Sequence, residues 1–253
     1  MSFSDAIQDI LASYRSFSLK KAEAVKLMHR IDTKYIIPAD DAIKLLCDVR
    51  EDYHVLEIES QRTGTYTSTY YDTNDRQMFH SHVTGRFPRY KVRERIYSQN
   101  GLKFFEVKQK NNKGRTSKRR ISIAENSADA SDWLSRHAPF RTDELTPSLI
   151  NCFERITLIN NQLTERITLD FNLHFRAPSG FVTPIYNRVA IVELKQDKTA
   201  DSPIKEYLRN KGVRPGGVSK YCMGLLLTES ETGFKQYKPK YSRFIKTQHE
   251  RLD

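Results

Sequence analysis

Cysteine is scarce in this chain. Cys47, Cys152 and Cys222 are odd in number and far apart, which excludes a disulfide framework and a paired-cysteine metal site and fits a reducing cytoplasm. No run approaches the roughly eighteen apolar residues that span a bilayer. Asp5 and Asp9 interrupt the first apolar segment, so no secretory signal is expected there. Linkers rich in Gly, Ser or Pro are missing, as are repeats and low-complexity segments, and a single domain over 1–253 is expected. Acidic residues are outnumbered, 31 against 42 basic, for a formal charge of +11. The partner this implies is polyanionic: nucleic acid, an anionic membrane surface or a phosphate-rich small molecule. The basic run "KGRTSKRR" has no G-x-x-x-x-G-K-[ST] pattern, which excludes a P-loop.

What is present is enough for a folded core, with 38% hydrophobic and 11% aromatic residues. Helical spacing predicts a helix over 4–28 and another in "ADDAIKLLCDVREDY". Strands are predicted at "RIDTKYIIP", "YHVLEIE" and "TYTSTYYDT", with a short helix capped by Asp72. A meander follows: "RYKVRER", a turn at "SQNG", "KFFEVKQK", then "RTSKRRISI". Helices are expected at "SADASDWLSRH" and near "TDELTPSLIN", and strands at "CFERITLI", "ERITLDFNLHF" and "NRVAIVELKQD". Two helices flank "GVRPGG" near the end, and a basic tail occupies 233–253, where Pro239 argues against one uninterrupted helix.

The strands carry their charges on one face. Arg89, Lys91, Arg93 and Arg95 alternate in one strand, Glu106, Lys108 and Lys110 in the next, Lys118 and Arg120 in the third. Arg30, Asp32 and Lys34 repeat the pattern, as do Arg155 with Thr157, Arg166 with Asp170, and Glu193 with Lys195. For one strand, a solvated outer face explains this. The set, however, is dominated by Arg and Lys, and the strands are numerous enough to close a barrel. Helices covering the apolar face would turn the charged face into a lumen, where unpaired cations need a polyanion. Its carboxylates, Asp32, Glu106, Asp170 and Glu193, would suit hard divalent cations. Basic clamps beside a carboxylate-held Mg²⁺ or Mn²⁺ are the requirements of phosphoryl transfer.

In order and spacing, "RIDTKY", "YYDTND", "KVRER", "FEVKQK", "FERI", "RITLD", "VELKQD" and "GVSKYCMG" resemble the catalytic domain of vacuolar transporter chaperone proteins. These are polyphosphate polymerases of the triphosphate tunnel metalloenzyme superfamily. The resemblance covers about 25–228. It implies an α+β fold, an eight-stranded antiparallel barrel with helices outside. It also implies ATP and polyphosphate as partners, with no specific nucleic acid, and Mn²⁺ or Mg²⁺ as cofactor. By resemblance Lys34 is the first-strand tunnel lysine, Arg93 and Arg95 the phosphate clamp, and Lys108 the next-strand lysine. Arg155 and Arg166 are the paired arginines, Lys118 and Lys220 further phosphate ligands, and Glu193 the metal ligand. Lys91, Arg120 and Lys195 join the substrate-binding set from their strand positions, and Glu106 competes with Glu193 for the metal. The superfamily's ExExK pattern is replaced by Arg30, Asp32 and Lys34, which favours the polymerase branch over triphosphatases and cyclases. The membrane-spanning and SPX domains of the eukaryotic complex do not appear, as expected of a stand-alone prokaryotic protein with at most a peripheral membrane-protein partner. A triphosphatase, or a non-catalytic module binding polyphosphate or nucleic acid, is the alternative. His80 and His82 are expected on the surface, and Cys152 and Cys222 in the core.

Overall fold

Period-two alternation carries most of the chain into one sheet. The computed structural model describes residues 3–20, 30–123, 128–197, 202–229 and 237–249. Its strands are β1 (Arg15–Phe17), β2 (Arg30–Pro38), β3 (Tyr53–Leu56), β4 (Gly64–Asp72), β5 (Arg89–Tyr97), β6 (Lys103–Lys110), β7 (Thr116–Ser122), β8 (Thr146–Asn160), β9 (Glu165–Arg176) and β10 (Val189–Asp197). Its helices are α1 (Phe3–Ala12), α2 (Ala39–Asp48), α3 (Gln77–Thr84), α4 (Ala128–His137), α5 (Pro203–Asn210), α6 (Lys220–Thr228) and α7 (Lys238–His249). The class is α+β, as expected.

Eight strands run in the order β2-β10-β9-β8-β4-β5-β6-β7, each antiparallel to its neighbours. The sheet curls until β2, β5, β6, β7 and β10 line one cavity. Among the described residues no ladder joins β2 to β7. The barrel expected from the sequence is a curled sheet that hydrogen bonds do not close among the described residues, and the segment after α5 partly occupies the β2 edge, where the Gly216 N–H donates to the Lys34 carbonyl at 2.8 Å. The edge strand β7, "TSKRRIS", is basic on both faces and packs only Ile121 against the core.

Helices cover the apolar side. Ile7 and Leu11 of α1, Leu45 and Leu46 of α2, and Ile204 and Leu208 of α5 bury Tyr35, Ile37, Ile156, Leu158, Leu169 and Val192. Leu134 of α4 and Met78 of α3 cover Val92, Phe105 and Val107. The other side of the sheet is where the alternating charges gather. One end of it is capped by apolar groups, where Tyr221 and Met223 of α6 and Phe244 of α7 meet Ile36, Ile191, Tyr70 and Leu149. Gly224 lets α6 lie that close, because a Cβ there would collide with Leu149 and Phe175.

The helix expected straight after Asp72 begins only at Gln77, with Arg76 at its N-cap position, yet Asp72 reaches its first turn from ahead and also anchors α6. Its carboxylate accepts from the backbone N–H of Met78 and of Phe79, each at 2.9 Å, and from the Tyr221 hydroxyl at 2.5 Å.

Three local expectations change. The first helix stops at Ala12, because Tyr14 and Phe17 turn inward, Tyr14 donates to the Leu46 carbonyl, and β1 pairs in parallel with β3. Residues 21–28 of the predicted helix lie outside the described residues. Near "TDELTPSLIN" only Thr142–Glu144 form a helical turn; Pro147 removes a donor a helix would need, and the segment instead begins the 15-residue β8. In the tail, Pro239 stands in the first turn of α7, where a missing N–H costs nothing. The helix continues past it to His249. Among the described residues no helix is long and apolar enough to cross a membrane.

Candidate functional site

Register converts the alternation into rows of charge. Lys91, Lys108 and Lys118 stand directly opposite one another on β5, β6 and β7, and Arg93, Glu106 and Arg120 form the next row. From the other wall, Lys34 faces Glu193 and Asp32 faces Lys195, with Arg166 opposite Lys195 and Asp170 opposite Arg155. Directly opposed side chains share a face of the sheet, so these groups line one trough. Lys220 and Ser219 enter it from α6 and its cap; the Ser219 hydroxyl accepts from Lys91 Nζ at 2.8 Å.

Three carboxylates each hold two cations. Glu106 accepts from Arg93 at 2.6 Å and pairs with Lys118 at 2.5 Å. Asp170 takes both Nε and Nη2 of Arg155, at 2.5 and 2.8 Å, and pairs with Lys220. Glu193 lies 3.8 Å from Lys34 and from Lys195. Burial by itself would raise the Glu106 carboxyl, but Arg93, Arg95 and Lys118 outweigh it and hold the group at about 2. Asp170 is held well below the usual carboxylate range by Arg155 and Lys220, again against burial.

Arg95 is different. It is 5% exposed, and its Nε donates to the Ser68 hydroxyl at 3.0 Å. Among the described residues it has no carboxylate at ion-pair distance. Its guanidinium lies over the rings of Tyr66 and Phe153. Burial, and the charges of Arg93 and Arg155, push its pKa down. A buried cation repelled by two others is a place for an anion.

Burial brings Lys91, Lys118 and Lys220 down to about 8, helped by neighbouring cations and against the pull of Glu106 on Lys118 and of Asp170 on Lys220. A phosphate oxygen needs the charged ammonium, so binding above that pH must draw protons from solution. Tripolyphosphate affinity is expected to fall as pH rises through about 8. Calorimetry at pH ~8.5, in two buffers of different ionisation enthalpy, should show uptake on the order of one proton per site. No uptake would mean that these lysines stay charged in the free protein.

The structure brings Lys34, Lys91, Arg93, Arg95, Lys108, Lys118, Arg155, Arg166, Glu193, Lys195 and Lys220 onto the trough. Arg120 lies on the outermost strand with its guanidinium 4.4 Å from the centre of the Phe104 ring. Glu106 spends both carboxylate oxygens on cations. His82, expected on the surface, is a correction: it lines the mouth and contacts the Tyr90 carbonyl at 3.1 Å. Cys222 is buried in the core as expected, with one side on the cavity. Sequence reasoning missed Ser68, Tyr70, Phe153 and Ser219. The signal for two of them was there: Tyr66, Ser68 and Tyr70 alternate in "TYTSTYYDT", and β4 pairs with the basic β5.

Among the described residues no three His, Cys, Asp or Glu side chains gather as a metal cage. Glu193 nonetheless suits a hard cation. Its carboxylate faces the cavity beside Asp32, and its ammonium neighbours stand at 3.8 Å, beyond hydrogen-bond range. Mg²⁺ and Mn²⁺ accept such a donor set when phosphates and water complete their shell.

A model of the VTC domain matches residues 29–228 of the chain. No curated protein matches. Among solved structures, a Pyrococcus horikoshii protein is 18% identical at a TM-score of 0.47, over 80% of this chain and 98% of that one. A Hippeastrum protein, described as a candidate adenylyl cyclase with a dominant triphosphatase activity, is 15% identical at a TM-score of 0.46, over 77% and 94%. A candidate adenylate cyclase from Vibrio parahaemolyticus is 13% identical at 0.46, over 77% and 97%.

Proposed function

The chain belongs to the VTC domain family, and on that premise we propose that it is a metal-dependent polyphosphate polymerase using ATP. The reading is supported above all by Arg95, a buried guanidinium among cations with no carboxylate at ion-pair distance among the described residues. Such a group is costly unless a ligand brings the negative charge.

Arg93, Arg95 and Arg155 hold the β- and γ-phosphates, and their carboxylate partners fix the planes of two of the three forks. Lys34, Lys91, Lys108, Lys118, Lys195, Lys220 and Arg166 carry the charge of the rest of the chain along the trough. Glu193, with Asp32 beside it, holds Mn²⁺ or Mg²⁺, which supplies charge neutralisation at the phosphate oxygens. A terminal oxygen of polyphosphate attacks the γ-phosphorus, the bond from that phosphorus to the β-bridging oxygen breaks, and ADP departs with the electron pair. The residues position the two chains in line and stabilise the spreading negative charge, and no covalent enzyme intermediate forms.

Incubation with ATP and Mn²⁺ is expected to yield a polymer ladder on a gel. Orthophosphate without long polymer, under conditions of turnover, would overturn the polymerase and leave the triphosphatase. Glu193→Gln is expected to lower turnover about a hundredfold while tripolyphosphate still binds without metal. Wild-type turnover in that variant would remove Glu193 from the metal site.

A further inference from the structure

The family-matched stretch ends at residue 228, yet the cavity of the trough has a wall beyond it. Its 460 Å³ are bounded by Arg89 and Lys91 of β5, Lys108 and Lys110 of β6, the loop from Pro215 to Ser219, and Tyr237 and Lys240 from the start of α7. Register orders the strand cations. Arg95 stands opposite Phe104, Arg93 opposite Glu106, Lys91 opposite Lys108, and Arg89 opposite Lys110. Four residues of extended strand, about 13 Å, separate Arg89 from Arg93. The carboxylates on the cavity, Asp32 and Glu193, come from the other wall, β2 and β10.

The start of α7 is docked over the Arg89 end. Phe244, fully buried, packs edge-on against Tyr186, and the Gln248 side chain accepts from the Arg188 N–H at 3.0 Å. The Arg243 guanidinium donates to the Arg214 carbonyl at 2.9 Å, and the Tyr237 hydroxyl accepts from the Ser219 N–H at 2.7 Å. Arg243 and Tyr237 thereby pin the 214–219 loop at both ends. Lys240 follows Tyr237 at helical spacing, its ammonium 5.1 Å from the centre of the Tyr237 ring and on the same cavity. Across the mouth, Arg89 has a buried Nε without a hydrogen-bond partner among the described residues, a donor that an anion would satisfy.

A triphosphate seated on Arg93, Arg95 and Arg155 has no fourth phosphate to offer this outer row, whereas a longer chain has. We propose that Arg89, Lys110 and Lys240 form a subsite for the phosphates of a linear polyphosphate beyond the three at the buried arginines, so that the chain leaves the trough past α7. The inference rests on the phosphate-binding reading above. It adds a selectivity for chain length, and it gives the C-terminal helix a part in binding.

The test separates the two readings. Fluorescent tripolyphosphate serves as the probe, displaced by unlabelled tripolyphosphate or by long-chain polyphosphate, on the wild-type chain, Lys240→Gln and Lys246→Gln. Both lysines are exposed on α7, so neither change disturbs the core, and Lys246 lines a different pocket. Lys240→Gln is expected to weaken the long chain about fivefold and tripolyphosphate less than about twofold, the scale of one exposed ion pair. Lys246→Gln is expected to change neither. Equal losses for the two ligands in Lys240→Gln, or no loss for the long chain, would overturn the subsite and leave the phosphate site standing. The same long-chain loss in Lys246→Gln would overturn it too, by reducing the effect to net charge. Failure of the wild type to bind the probe, or of either ligand to displace it, would sink the phosphate reading and the inference with it.

Discussion

Arg95→Met is expected to lower kcat/KM for ATP about a hundredfold to a thousandfold, the range for removal of one preorganised donor to developing charge. The same variant should melt later than the wild type when no ligand is present. Arg95 is buried over Tyr66 and Phe153, is repelled by Arg93 and Arg155, and among the described residues has a single hydroxyl as hydrogen-bond partner. Methionine fills similar volume, lies well on the two rings, and removes the repulsion. Replacing a buried, unbalanced charge by a packed apolar group stabilises by about 1 kcal/mol or more, which raises Tm by about 2–4 °C in a chain of this size. Loss of activity with gain of stability is the signature of a group kept for its ligand. A variant that loses both would make Arg95 a structural residue, and one that keeps its activity would remove it from the site.

Asp170→Asn is expected to have the opposite balance, with stability as the first casualty. Asp170 is the common partner of Arg155 and Lys220, bidentate to the first. The amide cannot balance either, and two buried cations then face each other. Removing one partner of a buried ionic group costs about 3–5 kcal/mol, a fall in Tm on the order of 10 °C. Tripolyphosphate supplies the missing negative charge. The rise in Tm on adding it should therefore be larger in Asp170→Asn than in the wild type. An equal rise would show that the loss is one of packing and not of charge.

The pH dependence follows from the same carboxylates. Glu106 goes from an ordinary 4.5 to about 2 on folding, and Asp170 is lowered further. A carboxylate depressed in the folded state contributes stability that is complete above its unfolded value and lost as pH falls towards its folded one. Wild-type stability should thus decline between about 4.5 and 2, and Asp170→Asn should decline less steeply over that window.

Much of this molecule was legible before any coordinates. Period two in "RYKVRER" and "VELKQD" placed the basic residues on one face of each strand, and the turn in "SQNG" joined two of them; Gly101 does adopt a positive φ of 66° there. The capping role of Asp72 could also be read, because a carboxylate before a helix has one obvious use. Its second duty, anchoring Tyr221, could not, since that hydroxyl comes from 149 residues further along. The two prolines mislead in opposite ways: the helix expected near "TDELTPSLIN" ignores Pro147, which stands in β8, whereas Pro239 reads as a helix breaker but stands in a first turn, where its missing N–H costs nothing.

The amino-acid order by itself determined that the strands have two faces and that one is cationic, which is what points to a polyanion as partner. Each of these depends on neighbours two residues apart and on composition. Tertiary structure decided which cations are neutralised and which are not. Arg93 meets Glu106 and Arg155 meets Asp170, whereas Arg95 stands between Ser68 and Phe104 with no carboxylate opposite it, because pairing register sets what stands opposite each position. It also decided how the sheet curls, with no ladder between β2 and β7 among the described residues, since how those strands meet depends on the whole curl and not on either sequence alone.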